Sequence, residues 1–420
     1  MNAKLKTFFS GIVAVSCAMI LSFGCSQPST SKIDDNNIPS IPGVDTPVDG
    51  LSSIQFASAM QSGWNLGNTF DASSVGSQEN KGNNCETSWG MPKTTKKMIN
   101  TVAAKGFKTI RIPISWHNHI TDGTNYTIDP DWLARVKEVV DWARDNKMFV
   151  IINIHHDNLK SAEMSTTYGF SVNTNKNEND ASKDYIKKIW TQVATYFKDY
   201  DNHVIFELLN EPRNMDLSNA FNPTSTEESE CNAVIKEYEQ VALNAIRATG
   251  GNNANRFIMV PYYAASPWKN ANWSLPNDTA TDKLLISTHA YDPYNFAMYD
   301  GSTNNCDFSE DVEGKELKNL FDNLNTKWVS KGYGVVMGEA SCTDKENLSD
   351  REAWFNSYIT KAKAINCPVI LWDNMQTASS SNNISERHGY LDRANCTWFF
   401  PTLVNTMVTK AGGQIDVTQN

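Results

Sequence analysis

Two glutamates stand where carboxylates are costly to keep. Glu211 closes the apolar run of "VIFELLNEPRN", residues 204–214, and Glu339 closes "YGVVMGEA", residues 333–340. Ionised carboxyls rarely occupy such runs unless they are paired. Two carboxyls that face one gap can divide proton transfer and nucleophilic attack between them. For displacement at a sugar carbon they sit about 5 to 5.5 Å apart in a double displacement and about 6.5 to 9.5 Å apart in a single one. Glu207 lies in the same run as Glu211 and shares its face in an extended strand. Four residues at ~3.3 Å rise would place the two roughly 13 Å apart along the strand, too far for a working pair. Glu339, at an equivalent height on another strand, is the partner expected for Glu211, and Pro212 favours extended geometry at Glu211. Glu207 is expected to be a deep structural residue bonded to Arg or His neighbours.

The elements that must position these groups follow a simple rhythm. From residue 51 onward, short apolar runs alternate with longer amphipathic ones. "GWNLGNTFD", "GFKTIRIPI", "KMFVIINIHH", "HVIFELLNEP", "NRFIMVPYY", "LLISTHAYDP", "YGVVMGEA" and "PVILWDN" read as strands. "DWLARVKEVVDWARDN" carries Trp132, Val136, Val139, Val140 and Ala143 at helical spacing, and "SKDYIKKIWTQVATYFKDY" and the stretches 229–249, 314–331 and 350–365 are further helices. Eight strands alternating with helices is the pattern of a single (β/α)8 TIM barrel of the α/β class, whose active site lies at the C-terminal ends of the strands. On that plan Arg111, His155, His156, Asn210, Glu211, His289, Tyr291, Glu339 and Trp372 all gather at one end. The long connections 157–183, 212–228, 262–282, 292–312 and 374–400 fall there too. Their Tyr168, Trp268, Trp273, Tyr294, Phe296 and Trp398 are expected to wall a cleft with rings able to stack on sugars.

The chain has 420 residues, 40% hydrophobic and 20% charged, with a net charge of -10, which speaks against a nucleic-acid partner because phosphate backbones are held by Lys and Arg. Residues 1–24 have the pattern of a secretory signal peptide: Lys4 and Lys6 precede an apolar run from Phe8 to Phe23. "LSFGC" is similar to a bacterial lipobox, although Ser22 replaces the usual Leu. Cys25 is thus expected to carry lipid and to hold an exported protein at the cell surface or outer membrane, with plain secretion and a retained membrane anchor as alternatives. No later stretch reaches the ~18 to 20 apolar residues of a membrane helix. Residues 25–50 read as a flexible tether, and 51–420 as one catalytic domain, expected to be monomeric. Beyond Cys17 and Cys25 six cysteines remain, and their spacing selects no pairing.

"GWNLGNTFDA", "ETSWG", "RIPISWH", "INIHHD", "FELLNEPR", "STHAYDPY", "MGEA" and "ILWDN" together resemble glycoside hydrolase family 5, most of all its bacterial endoglucanases and xyloglucanases, in correct order over roughly residues 55 to 410. The resemblance implies a retaining endo-β-1,4-glucanase with no cofactor, acting on cellulose-type glucan, mixed-linkage glucan or xyloglucan in plant polysaccharide degradation. An endo-mannanase or xylanase on the same scaffold is the alternative, and a non-catalytic surface glycan-binding protein is a second. It further implies Glu211 as acid/base and Glu339 as nucleophile, with Arg111, His155, Asn210, His289, Tyr291 and Trp372 around the scissile sugar and Asn68 and His156 in outer glycone subsites. Arg111 and Tyr291 are expected to hold Glu339 charged, and crowding beside that charge to raise the pKa of Glu211. Asn210 is expected to bond the sugar 2-hydroxyl, Trp372 to floor the reacting subsite, and the Trp372–Asp373 peptide to be cis.

Other residues carry smaller expectations. Trp64 and Trp89 are read as packing residues, and Trp116 is left open. "HHD" at 155–157 with His289 could suggest a metal, but no further acid completes a ligand pattern and no catalytic metal is expected, a structural ion being left open. Met91 stands in "WGMP" where these enzymes usually have Asn, so a polar contact near the cleft should be missing. No carbohydrate-binding module is visible, which favours soluble or amorphous glycan.

Overall fold

In the computed structural model, which describes residues 45–299 and 305–415, eight parallel strands close on themselves. They are β1 (Ser62–Asn65), β2 (Thr109–Ile112), β3 (Phe149–Asn153), β4 (Val204–Glu207), β5 (Ile258–Pro261), β6 (Leu284–His289), β7 (Gly334–Ala340) and β8 (Val369–Leu371). Each pairs with the next, and β8 returns to β1 with Val369 opposite Ser62. The fold is the (β/α)8 barrel that the sequence predicts. The expected signal peptide, Cys25 and most of the tether lie outside the described residues.

Every residue of these strands is buried. Parallel strands covered on both faces become continuous Val- and Ile-rich runs, which is why all eight could be read. The helices longer than a single turn are α1 (Ser53–Met60), α2 (Lys96–Ala104), α3 (Pro130–Asp145), α4 (Lys176–Tyr196), α5 (Ser225–Ala248), α6 (Glu313–Lys327), α7 (Leu348–Ala364) and α8 (Pro401–Ala411). α3 shows how such a helix is specified. Asp129 caps it by accepting from the Asp131 amide, Pro130 occupies the first turn, and Trp132, Val136, Val139, Val140 and Ala143 form its buried stripe. That stripe joins the outward side chains of the strands, among them Ile152, Phe206 and Ile286, in the main core. No α-helix links β5 to β6; the connection runs through the short turn Tyr263–Ala265.

α1 was not foreseen. Its Ser52 cap and Gln55 form a reciprocal capping box, and it closes the N-terminal mouth of the barrel. Phe56, Ala57 and Met60 meet the inward residues Phe149, Ile151, Ile205, Phe257, Met259, Leu285, Val336 and Ile370 in a second, separate core. The Phe56 ring stacks on Phe257 with centroids 3.7 Å apart.

Two residues further along the same strands the inward face turns polar. Ile151 gives way to Asn153, Ile205 to Glu207, and Leu285 to Ser287 and then His289, while Thr109 and Gly63 are followed by Arg111 and Asn65. β7 departs from this alternation. Its register with β6 slips after Thr288, so that His289 pairs with Glu339 rather than Gly338. Such a bulge re-aims a side chain. A side chain at Gly338 would begin 2.9 Å from His289 Nε2, so the skipped position must be glycine.

The six loop aromatics divide. Trp268 and Tyr294 are exposed, but Trp273 and Phe296 are buried. Trp273 packs on Tyr262 and Trp328, Phe296 on Phe308, Trp398 on Phe107 and Tyr168 on Tyr126. The expected aromatic wall thus shrinks to two open rings, because long loops need small apolar clusters of their own.

Candidate active site

Arg111, from the end of β2, is the centre around which the site is assembled. It is fully buried and its donors are shared out: Nε to Glu207 Oε2 at 2.8 Å, Nη1 to Asn65 Oδ1 at 3.0 Å and to Glu339 Oε1 at 2.8 Å, and Nη2 to Asn210 Oδ1 at 2.7 Å. Glu207 is held as its sequence position suggests, by Arg111, by Asn153 Nδ2 at 2.9 Å and by the Ser287 hydroxyl. Burial alone would raise its pKa, but Arg111 and then His289 and Ser287 outweigh burial and bring it down to about 2. It is a structural anion.

Glu339 receives a second donor, the Tyr291 hydroxyl on Oε2 at 2.9 Å. Burial and the charge of Glu339 push the Tyr291 phenol well above its ordinary pKa, so it stays a donor. Glu211 lies beyond the end of β4, which stops at Glu207. The straight-strand spacing therefore does not apply: the chain leaves the ladder, and both carboxylates face one imidazole, His289, whose Nδ1 is 3.0 Å from Glu211 Oε1 and whose Nε2 is 3.9 Å from Glu207 Oε1. His289 Nδ1 is also 3.7 Å from Glu339 Oε2. Glu211, His289 and Glu339 each bring one polar atom within 4.8 Å of the others, so the structure brings Glu211 and Glu339 together.

The electrostatics correct one expectation. Burial would depress His289, but Glu339, Glu207 and Glu211 outweigh it and raise its pKa to about 9. The resulting imidazolium acts back on Glu211. Burial pushes that carboxyl up, yet the His289 bond and charge, with Arg213 and His156, bring it below the usual range. Crowding by Glu339 was expected to raise it; a cation between the two acids reverses the sign. Three cations, Arg111, His289 and Arg213, thus stand among three anions, Glu207, Glu211 and Glu339.

On the other side of the site His155 takes Asn153 Nδ2 on Nδ1 at 3.1 Å and lies parallel to Trp372 with ring centroids 6.1 Å apart. Burial, then neighbouring charge, holds the His155 pKa well below its ordinary value, and burial holds that of His156 at about 4. Both rings are neutral near pH 7. Trp372 packs against the turn at Gly67, where a side chain would begin 2.7 Å from the Asp373 carbonyl and 2.9 Å from the Trp372 ring. The peptide after Trp372 is trans, not cis as expected; the cis bond among the described residues is Asp292–Pro293.

Asn68 adopts φ 57° in the turn after β1, and its amide, with that of Thr69, donates to Asp71. Asp71 was missed as a site residue although "GNTFD" contains it. It is fully buried, burial raises its pKa to about 6, and Oδ2 lies 3.9 Å from His156 Nε2. Asp71, His155 and His156 also bring donor atoms within 4.8 Å of one another, but both Asp71 oxygens already accept backbone amides. Trp89, read as packing, is 40% exposed and lies 5.5 Å from the His156 ring, its indole N–H on the Ser73 carbonyl. A short 3-10 segment, Gly82–Thr87, carries it to the rim. Trp64 is buried as expected and donates to Asp373, Trp116 is buried and donates to the Asn153 carbonyl, and Met91 is buried.

Known proteins share this arrangement of chain. The model of the cellulase family, glycosyl hydrolase family 5, matches residues 71–378. Endoglucanase 1 of Ruminococcus albus is 36% identical over 91% of this chain and 88% of its own, and endoglucanase B of the same organism 37% identical over 86% and 81%. Among solved structures, a family-5 lichenase from a Caldicellulosiruptor species superposes with a TM-score of 0.79 at 38% identity, covering 89% of this chain and 99% of that one. A GH5-4 broad-specificity endoglucanase from Ruminococcus champanellensis with bound cellotriose gives 0.76 at 36% identity, covering 86% and 100%. The chain belongs to glycoside hydrolase family 5 and is a glycoside hydrolase.

Proposed function

We propose that this hydrolase is a retaining endo-β-1,4-glucanase that cleaves the backbone of cellulose-type glucan, mixed-linkage glucan or xyloglucan, with Glu211 as acid/base and Glu339 as nucleophile. The observation that carries this reading is the close approach of the two carboxyls, with polar atoms within 4.8 Å, the short separation of double displacement. Glu339, steadied by Arg111 and Tyr291, attacks the anomeric carbon while Glu211 protonates the departing oxygen. The His289 imidazolium, one hydrogen bond away at 3.0 Å, gives that proton to Glu211 along that bond. Water then hydrolyses the glycosyl-enzyme, its proton returning to Glu211. Arg111 fixes the Asn210 amide by its oxygen, leaving the NH2 end to meet the sugar 2-hydroxyl, and Trp372 floors the same subsite. His155, His156 and Asn68 serve the glycone side. The chain works without a cofactor and as a monomer, exported by residues 1–24 and held at the cell surface through Cys25.

Initial rates of residues 51–420 on xyloglucan, carboxymethylcellulose, mixed-linkage glucan, xylan and mannan, with Glu339→Gln as blank, test the reading. Glucan backbones should lead and the blank should be inactive. A lead by mannan or xylan overturns the substrate, and cleavage by the Glu339→Gln protein overturns the nucleophile.

A further inference from the structure

Glu211 Oε1 is engaged by His289, but a different side chain addresses its other oxygen. Arg213 Nη1 lies 3.3 Å from Oε2 and donates to the Glu211 backbone carbonyl at 2.9 Å. The guanidinium carbon stands 4.1 Å from the centroid of the Phe221 ring, which is 50% exposed. Its own backbone is pinned as well, the Arg213 amide donating to Asn158 Oδ1 at 2.8 Å. A planar cation held between an aromatic face and a carboxylate has little freedom.

We propose that Arg213, clamped by Phe221, is a positioning residue for the acid/base Glu211: by holding Oε2 it fixes the rotamer from which the carboxyl protonates the departing oxygen, and it steadies the carboxylate left after the proton has gone. The inference rests on the assignment of Glu211 above. In the step concerned, the proton passes from Glu211 to the glycosidic oxygen and the leaving group departs as an alcohol; Arg213 keeps all its protons. The other charged or titratable groups facing Glu211 are His289 and Tyr291 from the end of β6, Glu339 from β7 and His156 from the loop after β3. Among them Arg213 is the one reached from the same loop as Glu211 itself.

The experiment compares wild type, Arg213→Met, Arg213→Lys, Phe221→Ala and Glu211→Gln on two aryl cellobiosides, one with a dinitrophenyl leaving group that departs without protonation and one with phenyl, which needs it. Arg213→Met should lose roughly 10-fold in kcat on the phenyl substrate and within about 2-fold on the dinitrophenyl one in the first step. The alkaline limb of its kcat/KM profile should move up by about one unit, with Arg213→Lys partly restoring it. Phe221→Ala, a change to a half-exposed ring, should move both readouts the same way by less. Equal losses on both substrates with an unmoved limb, in both Arg213→Met and Phe221→Ala, overturn the proposal. If Glu211→Gln itself fails to spare the dinitrophenyl substrate in kcat/KM, which reports the first step alone, the assignment of Glu211 falls, and the inference falls with it.

Discussion

Up to the level of Ile151, Ile205 and Leu285 the lumen of the barrel is apolar and plugged by Phe56; two residues higher on the same strands stand Asn153, Glu207 and Ser287, bonded to one another or to Arg111. Both halves are fully buried, and they are held by different physics. The lower half is stabilised by area, so each side chain contributes nearly on its own. The upper half is stabilised by mutual compensation, since each charge is tolerable only while its partners remain. Removal of one member strands the rest.

Arg111→Met should have the largest effect. It leaves Glu207 and Glu339 without their shared cation, costing about 3–5 kcal/mol of stability and roughly 10^2- to 10^3-fold in kcat. Urea unfolding and initial rates check this; unchanged stability would break the contrast between the halves. Phe56→Ala should cost a similar or smaller amount, about 3–5 kcal/mol, but kcat/KM measured well below the transition should stay within about 2-fold. A selective loss of activity would show the floor to be coupled to the site.

The smallest effect is in pH. His289 is raised to about 9 from 6.5, so its contribution is fully present below about pH 6.5 and is lost as pH rises through 9. Stability of the wild type should therefore fall, relative to that of His289→Asn, by on the order of 1–3 kcal/mol between pH 7 and about 10. A constant difference would mean that the ring is neutral throughout.

The sequence made some of this legible and hid the rest for identifiable reasons. The eight strands were visible because two-sided burial writes itself as unbroken apolar runs. Glu211 and Glu339 were visible because a carboxylate at the end of such a run needs a reason. The plug helix α1 was hidden, since eight residues with a capping box are too short for a helical period to stand out. The bulge at Gly338 depends on register with β6, which no local pattern encodes. The downward shift of Glu211 depends on His289, 78 residues away; the sequence places that ring at the same end of the barrel but not in contact with the carboxyl. Arg213 and Asp71 were quoted inside their motifs without a role, because what they touch is set by the loops around them.

The plug has a directional consequence. Val48 belongs to the floor cluster, Asp45 pairs with Arg144 at 2.7 Å, and the Thr46 carbonyl accepts from His203 Nε2 at 2.8 Å. The chain therefore enters the barrel at its closed end, with the whole height of the lumen between that entry and Glu339. A polymer that reaches the carboxylates does so at the end of the barrel opposite this entry.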